Sequence, residues 1–353
     1  MGKSWARRVP AKLLVRWLAG LLLSSIFLWA VLRGINLGRV GSILAGANRE
    51  LAIPALLAFM ASVAARSWRW LLCFEDDDPL AFPDSLMAYS LGSVSAFVIP
   101  ARLGDLVRVY AVGYTSPVSR ARALGTLVVE RLSDLFAVVL LVSAMLPLFN
   151  LPGWVTSADV VAAILCVCAL VVVYWLARQR ERLSLPSWVV SRRLLEPGGR
   201  LFLRLLDGFG AVRDARRGAA IVGLAFLVWL LTVSSYVASF RALSIPLGWR
   251  EGALLTGVLA LVAIVPAGPG YAGSFELAAV ALLGLFKVDS SVAVAYIEYT
   301  RIISLLSLAL MTLLGALATR LRRQMPRLPA TSPAATALDG AVPGAFDSSG
   351  GGQ

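Results

Sequence analysis

The chain contains no histidine, three cysteines and, among its 33 basic side chains, only three lysines. The absence of histidine excludes catalytic triads, histidine metal sites and histidine-dependent lipid phosphatases. Cys73, Cys166 and Cys168 lie in or beside apolar segments without paired CxxC spacing, which argues against a disulfide framework and a zinc site. The pattern GxxxxGK[ST] is also absent, so the sequence carries no P-loop for ATP. We therefore expect no metal and no cofactor.

Apolar residues are abundant instead. They make up 59% of the 353 residues, and the mean hydropathy is +0.80, whereas soluble domains contain roughly 45–50% apolar residues. Several apolar runs reach the roughly 20 residues that a helix needs to cross a bilayer. The run at 13–33 follows a basic N-terminus and lacks a small-residue cleavage site, which indicates a retained first helix. The sequence predicts an all-α integral membrane protein.

The distribution of charge decides the predicted topology. Apolar runs cover 13–33, 51–73, 82–99, 124–147, 158–177, 219–240 and 291–318, and a run broken by glycine and proline covers 252–286. Basic residues cluster at 1–12, 178–217 and 320–327, and the positive-inside rule places these clusters and both termini in the cytoplasm. The three basic clusters lie on one side of the membrane only if 82–122 and 252–286 are hairpins, each of which enters and leaves the membrane on the same side. The prediction is six spans and two re-entrant hairpins within residues 13–322.

Two segments outside the predicted spans have their own character. Residues 178–217 contain amphipathic stretches around Leu201, Leu205, Leu206 and Phe209, with arginines nearby, which favours an interfacial helix on anionic lipid. Residues 323–353 are rich in Pro, Ala, Ser and Gly and are predicted to be a disordered tail. We expect the partner of this chain, whose net charge is +13, to be membrane lipid and not nucleic acid. The sequence leaves its oligomeric state open.

The two predicted hairpins share a motif. VIPARLG at 98–104 matches IVPAGPG at 264–270, and each motif precedes a helix that carries a glutamate and an arginine. The predicted hairpin breaks are Pro100, Gly104, Pro266, Gly268, Pro269, Gly270 and Gly273. The halves, about 13–147 and 158–320, then form an inverted repeat, a transporter design in which broken helices meet near the midplane. The alternative is that proline and glycine only kink ordinary helices.

Charged residues inside the apolar runs mark a candidate site, because each costs at least about 2.5–3.5 kcal/mol if unpaired at the bilayer centre. Two interpretations are open. The charged residues form structural ion pairs, or Arg131 and Arg301 flank a cavity for an anionic headgroup. The candidate substrate-binding residues are Arg102, Asp105, Arg108, Glu130, Arg131, Asp134, Glu276, Glu298 and Arg301. Asp105 and Arg108 are three residues apart on one helix if this stretch is helical, and spacing predicts a pair between Glu298 and Arg301. Arg102, Asp105 and Arg108 are also explained by interfacial anchoring. Arg66 and Arg69 are predicted to snorkel at the end of the second helix.

Four motifs occur in a fixed order: FVIPARLGDLVR, GTLVVERLSD, IVPAGPGYAGSFE and YIEYTRIISL. With them, roughly residues 10–322 resemble the flippase-like lysylphosphatidylglycerol synthase transmembrane-region family. The most specific piece is P-x-x-PG-x-x-G-x-x-E, which Pro266, Pro269, Gly270, Gly273 and Glu276 occupy. The resemblance implies a lipid flippase domain in a bacterial cytoplasmic membrane. The aminoacyltransferase domain of the synthases is absent, so lysyl-lipid synthesis is not implied.

We therefore predict a transporter, not an enzyme, that moves a lipid with a phospho- or polyprenyl-phosphate head between leaflets. One alternative is an accessory subunit without transport of its own, which failure of the purified protein to move lipid would favour. Another is a glycosyltransferase that uses Asp76 and Asp78 as a D-x-D metal pair, which Mn²⁺-dependent turnover of a nucleotide sugar would identify.

Overall fold

The computed structural model describes residues 25–29, 33, 35–74, 78, 80–98, 104–116, 118–149, 153–180, 196–263 and 269–324. The basic N-terminus at 1–12, most of the predicted span at 13–33 and the tail beyond residue 324 lie outside these residues. Pro100, Arg102, Pro266 and Gly268 lie outside them as well. The predictions made for these positions therefore stay predictions.

Every regular element within the described residues is helical, which confirms the predicted all-α class. The helices are α1 (Leu37–Ala45), α2 (Arg49–Leu72), α3 (Phe82–Val98), α4 (Gly104–Thr115), α5 (Arg120–Met145), α6 (Gly153–Gln179), α7 (Glu196–Asp207), α8 (Ala215–Ala242), α9 (Trp249–Val262), α10 (Ser274–Leu285) and α11 (Ser290–Gln324). Short 3-10 turns occupy Leu146–Leu148, Gly210–Arg213 and Pro269–Tyr271. The helix α6 begins within the loop predicted at 148–158, so that loop is shorter than expected.

Polar residues in the sequence determine where the long helices begin. The side chain of Asn48 accepts the N–H groups of Glu50 and Leu51 at the start of α2, and Ser119 and Asp214 cap α5 and α8 in the same way. Before α11, the N–H of Ser291 donates to Asp289 at 2.9 Å, and this bond lowers the pKa of the Asp289 carboxyl.

Within the described residues, four helices are long and apolar enough to cross a membrane: Arg49–Leu72, Asp159–Gln179, Ala215–Ala242 and Ser290–Gln324. The chain is therefore an integral membrane protein, and four of the six predicted spans are supported by length and composition. The helix α5 has sufficient length at 26 residues. It carries the charged residues Glu130, Arg131 and Asp134, however, and is therefore less apolar than the four helices above.

The two predicted hairpin regions are each built from two short helices. The helices α3 and α4 contain 17 and 12 residues, and α9 and α10 contain 14 and 12. None reaches the roughly 20 residues needed to cross hydrocarbon. In each region the two short helices pack against each other, α3 on α4 and α9 on α10. Gly104 lies so close to the backbone of Gly92 and Ala96 that no Cβ fits there, which explains a glycine at the start of α4.

The two short-helix pairs meet at their broken ends. The end of α3 contacts the turn at Pro269–Tyr271, and a Cβ added at Gly270 would lie 3.2 Å from the ring of Phe97. Three further helix pairs pack together: α2 on α8, α3 on α11, and α9 on α5. Gly270 and Gly273 both have positive φ, at 61° and 85°, a conformation that glycine adopts without strain.

The largest apolar core ties the end of α2 to α4, α5 and α7. Trp70, Val112, Leu127 and Leu206 are all buried in it. The helix α7 approaches α5 so closely that Gly125 has no room for a Cβ beside the backbone of α7. The end of α2, and with it the side chains of Arg66 and Arg69, is therefore held inside the bundle.

Candidate functional site

A buried ion pair joins α2 to α5. The guanidinium of Arg69 donates to both carboxylate oxygens of Asp134, at 2.6 and 3.0 Å, and lies 3.5 Å from Glu130. The side chain of Arg69 is fully buried. A planar guanidinium and a carboxylate make two parallel bonds, which fixes the relative orientation of the two helices.

Arg108 of α4 completes this buried network. It donates to both oxygens of Glu130, at 3.1 and 2.5 Å, and it stacks between Trp70 at 3.6 Å and Tyr89 at 4.5 Å. The indole N–H of Trp70 donates in turn to the hydroxyl of Thr126 at 3.0 Å. We call the series Arg108, Glu130, Arg69 and Asp134 the charge ladder. Its members neutralise one another in pairs, which a charge at membrane depth requires.

Arg131 lies beside the charge ladder and has its own partner. It contacts both carboxylate oxygens of Asp105 at 2.7 Å. Its side chain is 54% exposed and that of Asp105 is 31% exposed. Asp105 and Arg108 lie three residues apart on α4 and turn to different partners, since Asp105 reaches Arg131 on α5 and Arg108 reaches Glu130.

A second cluster lies on α10 and α11. Arg301 donates to Glu276 at 2.7 Å and to Glu298 at 2.5 Å, so the predicted pair between Glu298 and Arg301 is confirmed. The other oxygen of Glu276 accepts the N–H of Gly273 at 2.7 Å and thereby caps α10. Glu276 is buried, whereas Glu298 is 33% exposed.

The two clusters share one arrangement. In each, an acidic residue in the first turn of the second short helix binds an arginine of the long helix that follows. The pairs are Asp105 with Arg131 and Glu276 with Arg301, each at 2.7 Å. The surroundings differ, because two more arginines, Arg66 and Arg69, reach the first cluster from α2, while the described part of α8 supplies none to the second.

A cavity of about 260 Å³ lies where the broken ends meet the charge ladder. Arg66 of α2, Arg131 and Asp134 of α5, Trp229 of α8 and Tyr271 of the turn line it, together with apolar residues of α5 and α9. Among the described residues around the cavity, Arg66, Arg69, Arg108 and Arg131 stand against Asp105, Glu130 and Asp134, so four positive charges face three negative ones. This described part of the surroundings carries one uncompensated positive charge, which suits an anion.

The sequence placed some of these residues and missed others. Arg131 and Asp134 line the cavity, but Arg301 belongs to the second cluster and is not part of its wall. The snorkelling prediction for Arg69 is wrong, because the bundle closes over it. The prediction for Arg66 is also wrong, because its side chain is 16% exposed and faces the cavity. Arg66, Arg69 and Trp229 are the residues that the candidate list lacked.

Of the predicted break residues, Gly104 begins α4, Pro269 begins the 3-10 turn, and Gly270 in that turn and Gly273 before α10 have positive φ. Among the described residues, no group of three or more His, Cys, Asp or Glu side chains is arranged to hold a metal ion. Asp78, one member of the D-x-D pair, binds Arg122 at 2.9 Å. Asp76, the other member, lies outside the described residues.

A family model described as the lysylphosphatidylglycerol synthase TM region matches residues 17–315 of the chain. The match spans all the helices that form the cavity and both charge clusters. No curated protein and no solved structure matches the chain.

Proposed function

The chain belongs to the lysylphosphatidylglycerol synthase TM region family, and from that premise we propose that it moves a lipid with an anionic, phosphate-containing head between the leaflets of a membrane. The proposal covers phospholipid and polyprenyl-phosphate heads. It requires no covalent step, so the protein acts as a transporter and not as an enzyme.

One observation carries the proposal: a cavity with one uncompensated positive charge lies where two broken helix pairs meet. Irregular backbone at membrane depth is tolerated only where protein covers it or where it lines a cavity. Transporters use such breaks to form substrate sites near the midplane. The half-buried pair of Arg131 and Asp105 can open toward an anion, because an arginine fork binds phosphate as it binds carboxylate.

The proposal includes an inverted repeat. In it, α2, α3, α4 and α5 correspond to α8, α9, α10 and α11. The matched contacts between the halves and the matched ion pairs, Asp105 with Arg131 and Glu276 with Arg301, support this correspondence. The short lengths of α3, α4, α9 and α10 support two re-entrant hairpins, which enter and leave the membrane on the same side.

We also propose that both termini and residues 178–217 face the cytoplasm of a bacterium and that the chain resides in its cytoplasmic membrane. The helix α7 fits this placement. It buries Leu206 against the bundle, while Leu201, Phe202 and Arg204 are exposed. An exposed apolar pair beside a basic residue suits a helix that rests on anionic lipid.

Cysteine labelling tests this topology. In a variant without native cysteines, Trp154→Cys should react with a membrane-impermeant maleimide from outside the cell. Leu185→Cys should react only after permeabilisation, because the positive-inside rule keeps its arginine-rich segment in the cytoplasm. Labelling of position 185 in intact cells would contradict the two-hairpin topology.

Leaflet-specific lipid labelling tests the function. Bacterial cells that lack the protein should accumulate one anionic lipid in the leaflet where it is made, and the plasmid-borne chain should restore its distribution. Unchanged distributions of all anionic lipids would contradict the proposal. If the chain restores the distribution in cells but the purified protein moves no lipid, the accessory-subunit alternative gains support.

A further inference from the structure

Among the described residues of the cavity wall, Arg66 is the cation without a close carboxylate partner. Its guanidinium lies 3.9 Å from Asp134, beyond hydrogen-bond distance, and Asp134 already receives two bonds from Arg69. Within the described part of the chain, the hydrogen bonds of Arg66 are long, at 3.4 and 3.5 Å, and go to the hydroxyls of Ser62 and Thr232. Because a guanidinium carries five N–H donors, most of the donors of Arg66 remain open to a ligand.

Trp229 supplies a second open donor at the same wall. Its ring lies under the guanidinium of Arg66, 4.9 Å from the guanidinium carbon, and this stacking holds the guanidinium in place. The indole nitrogen of Trp229 is buried and has no hydrogen-bond partner among the described residues. A buried indole N–H usually finds an acceptor. A ligand oxygen in the cavity would provide one.

Arg131 differs from Arg66 in this respect. Both oxygens of Asp105 accept from its Nη2 at 2.7 Å, so a close carboxylate compensates its charge, and a phosphate at its other nitrogens would lie beside that carboxylate. Arg66 and Trp229 can bind an anion without breaking a close ion pair. Among the described residues, the wall cation without a close carboxylate therefore lies on the side of the cavity formed by α2 and α8.

The size and charge of the cavity restrict the head that fits. Its 260 Å³ corresponds to about nine water molecules at roughly 30 Å³ each. This space suits a phosphate with a small alcohol, whereas a diphosphate that carries a disaccharide would extend beyond it. The single uncompensated positive charge matches the single negative charge of a phosphodiester. It gives no partner to the added ammonium of a zwitterionic head.

We propose that Arg66 and Trp229 form the phosphate subsite of the cavity and that this subsite selects a phosphodiester head with a small uncharged alcohol, as in phosphoglycerol lipids. The inference rests on the proposed function and specifies its substrate. Arg66 binds the phosphate oxygens through its fork, and Trp229 donates one further hydrogen bond while it orients Arg66.

The test compares three acyl-labelled lipids in proteoliposomes, with dithionite bleaching of the outer leaflet as the readout. The lipids are phosphatidylglycerol, phosphatidylethanolamine and a polyprenyl-diphosphate disaccharide. The wild-type protein should exchange phosphatidylglycerol fastest. Equal exchange of phosphatidylethanolamine would contradict the charge match, and equal exchange of the disaccharide lipid would contradict the size limit.

Variants identify the subsite. Arg66→Gln should slow phosphatidylglycerol exchange about tenfold or more, because bonds to charged groups are lost, and Trp229→Phe should slow it about threefold to tenfold, because one neutral bond is lost. Arg250→Gln is the matched control, since Arg250 lies 5.1 Å over the ring of Phe149 and away from the cavity wall. It should leave exchange unchanged.

Two results would overturn the subsite: wild-type exchange by a monodisperse Arg66→Gln protein, or wild-type exchange by Trp229→Phe. If Arg66→Gln does not fold, the exchange rate of Trp229→Phe alone tests the subsite. Titration of detergent-solubilised protein with short-chain phosphatidylglycerol separates the subsite from the proposed function. Binding that Arg66→Gln abolishes, without exchange by the wild type, would reject transport and retain the subsite. The absence of binding by the wild type would reject the subsite.

Discussion

Replacing Arg69 with methionine is expected to lower the free energy of unfolding by about 3–5 kcal/mol, the usual cost of removing one partner of a buried pair. Arg69 is fully buried between Asp134 and Glu130. Methionine fills a similar space but leaves the Asp134 carboxylate without its two close bonds. Arg66 cannot replace Arg69, because it lies 3.9 Å from that carboxylate.

Denaturant titration of the protein in detergent measures this change in the free energy of unfolding. The double variant Arg69→Met with Asp134→Leu should recover much of the lost stability, because it removes the uncompensated charge and keeps the bonds between Arg108 and Glu130. Arg178→Met is the control, since Arg178 lies on the exposed end of α6. A stability of Arg69→Met within about 1 kcal/mol of the wild type would contradict the structural role of the charge ladder.

Most of the helices could be predicted because their signals are local. Apolar runs gave α2, α3, α5, α6, α8 and α11 to within a few residues at most ends. The break before α4 was predicted from Pro100 and Gly104, because proline ends helices and a glycine permits close approach of two backbones. The end of α11 was less accurate. It runs to Gln324, beyond the predicted residue 318, since its last turns are polar and carry no apolar signal.

Whether an ion pair could be predicted depended on how far apart its two residues lie in the sequence. Glu298 and Arg301 are three residues apart on one helix, so spacing alone predicts their contact. Arg69 and Asp134 are 65 residues apart, and no periodicity connects them. Trp68 and Trp70 flank Arg69 and resemble the aromatic belt of a membrane interface, which explains why Arg69 was wrongly predicted to snorkel.

A charge count contained the missing information. Within the predicted span 124–147, Glu130 and Asp134 face only one arginine, Arg131. An unpaired carboxylate at that depth requires a cation from another helix. The nearest basic residues inside an apolar run are Arg66 and Arg69. Trp229 had no comparable signal, because its open N–H depends on the packing of α8 against α5.

A disulfide between the two broken ends is expected to abolish lipid exchange. If the head passes through the cavity, the contact between Phe97 and Gly270 must open and close, as broken helices do in alternating access. A Cβ at position 270 would lie 4.0 Å from the Cα of Phe97, so the two Cα atoms are less than about 6 Å apart, and disulfides join Cα atoms about 4.4–6.8 Å apart. The positive φ of Gly270 strains a cysteine there by about 1–2 kcal/mol, so each single variant is measured as a control.

Phosphatidylglycerol exchange by Phe97→Cys with Gly270→Cys, in a protein without other cysteines and before and after oxidation, tests whether the lipid head passes between the two helix pairs. Both single variants and the reduced double variant should exchange lipid, the oxidised double variant should not, and reduction should restore exchange. Undiminished exchange by the fully oxidised double variant would contradict passage of the lipid head between the two broken helix pairs.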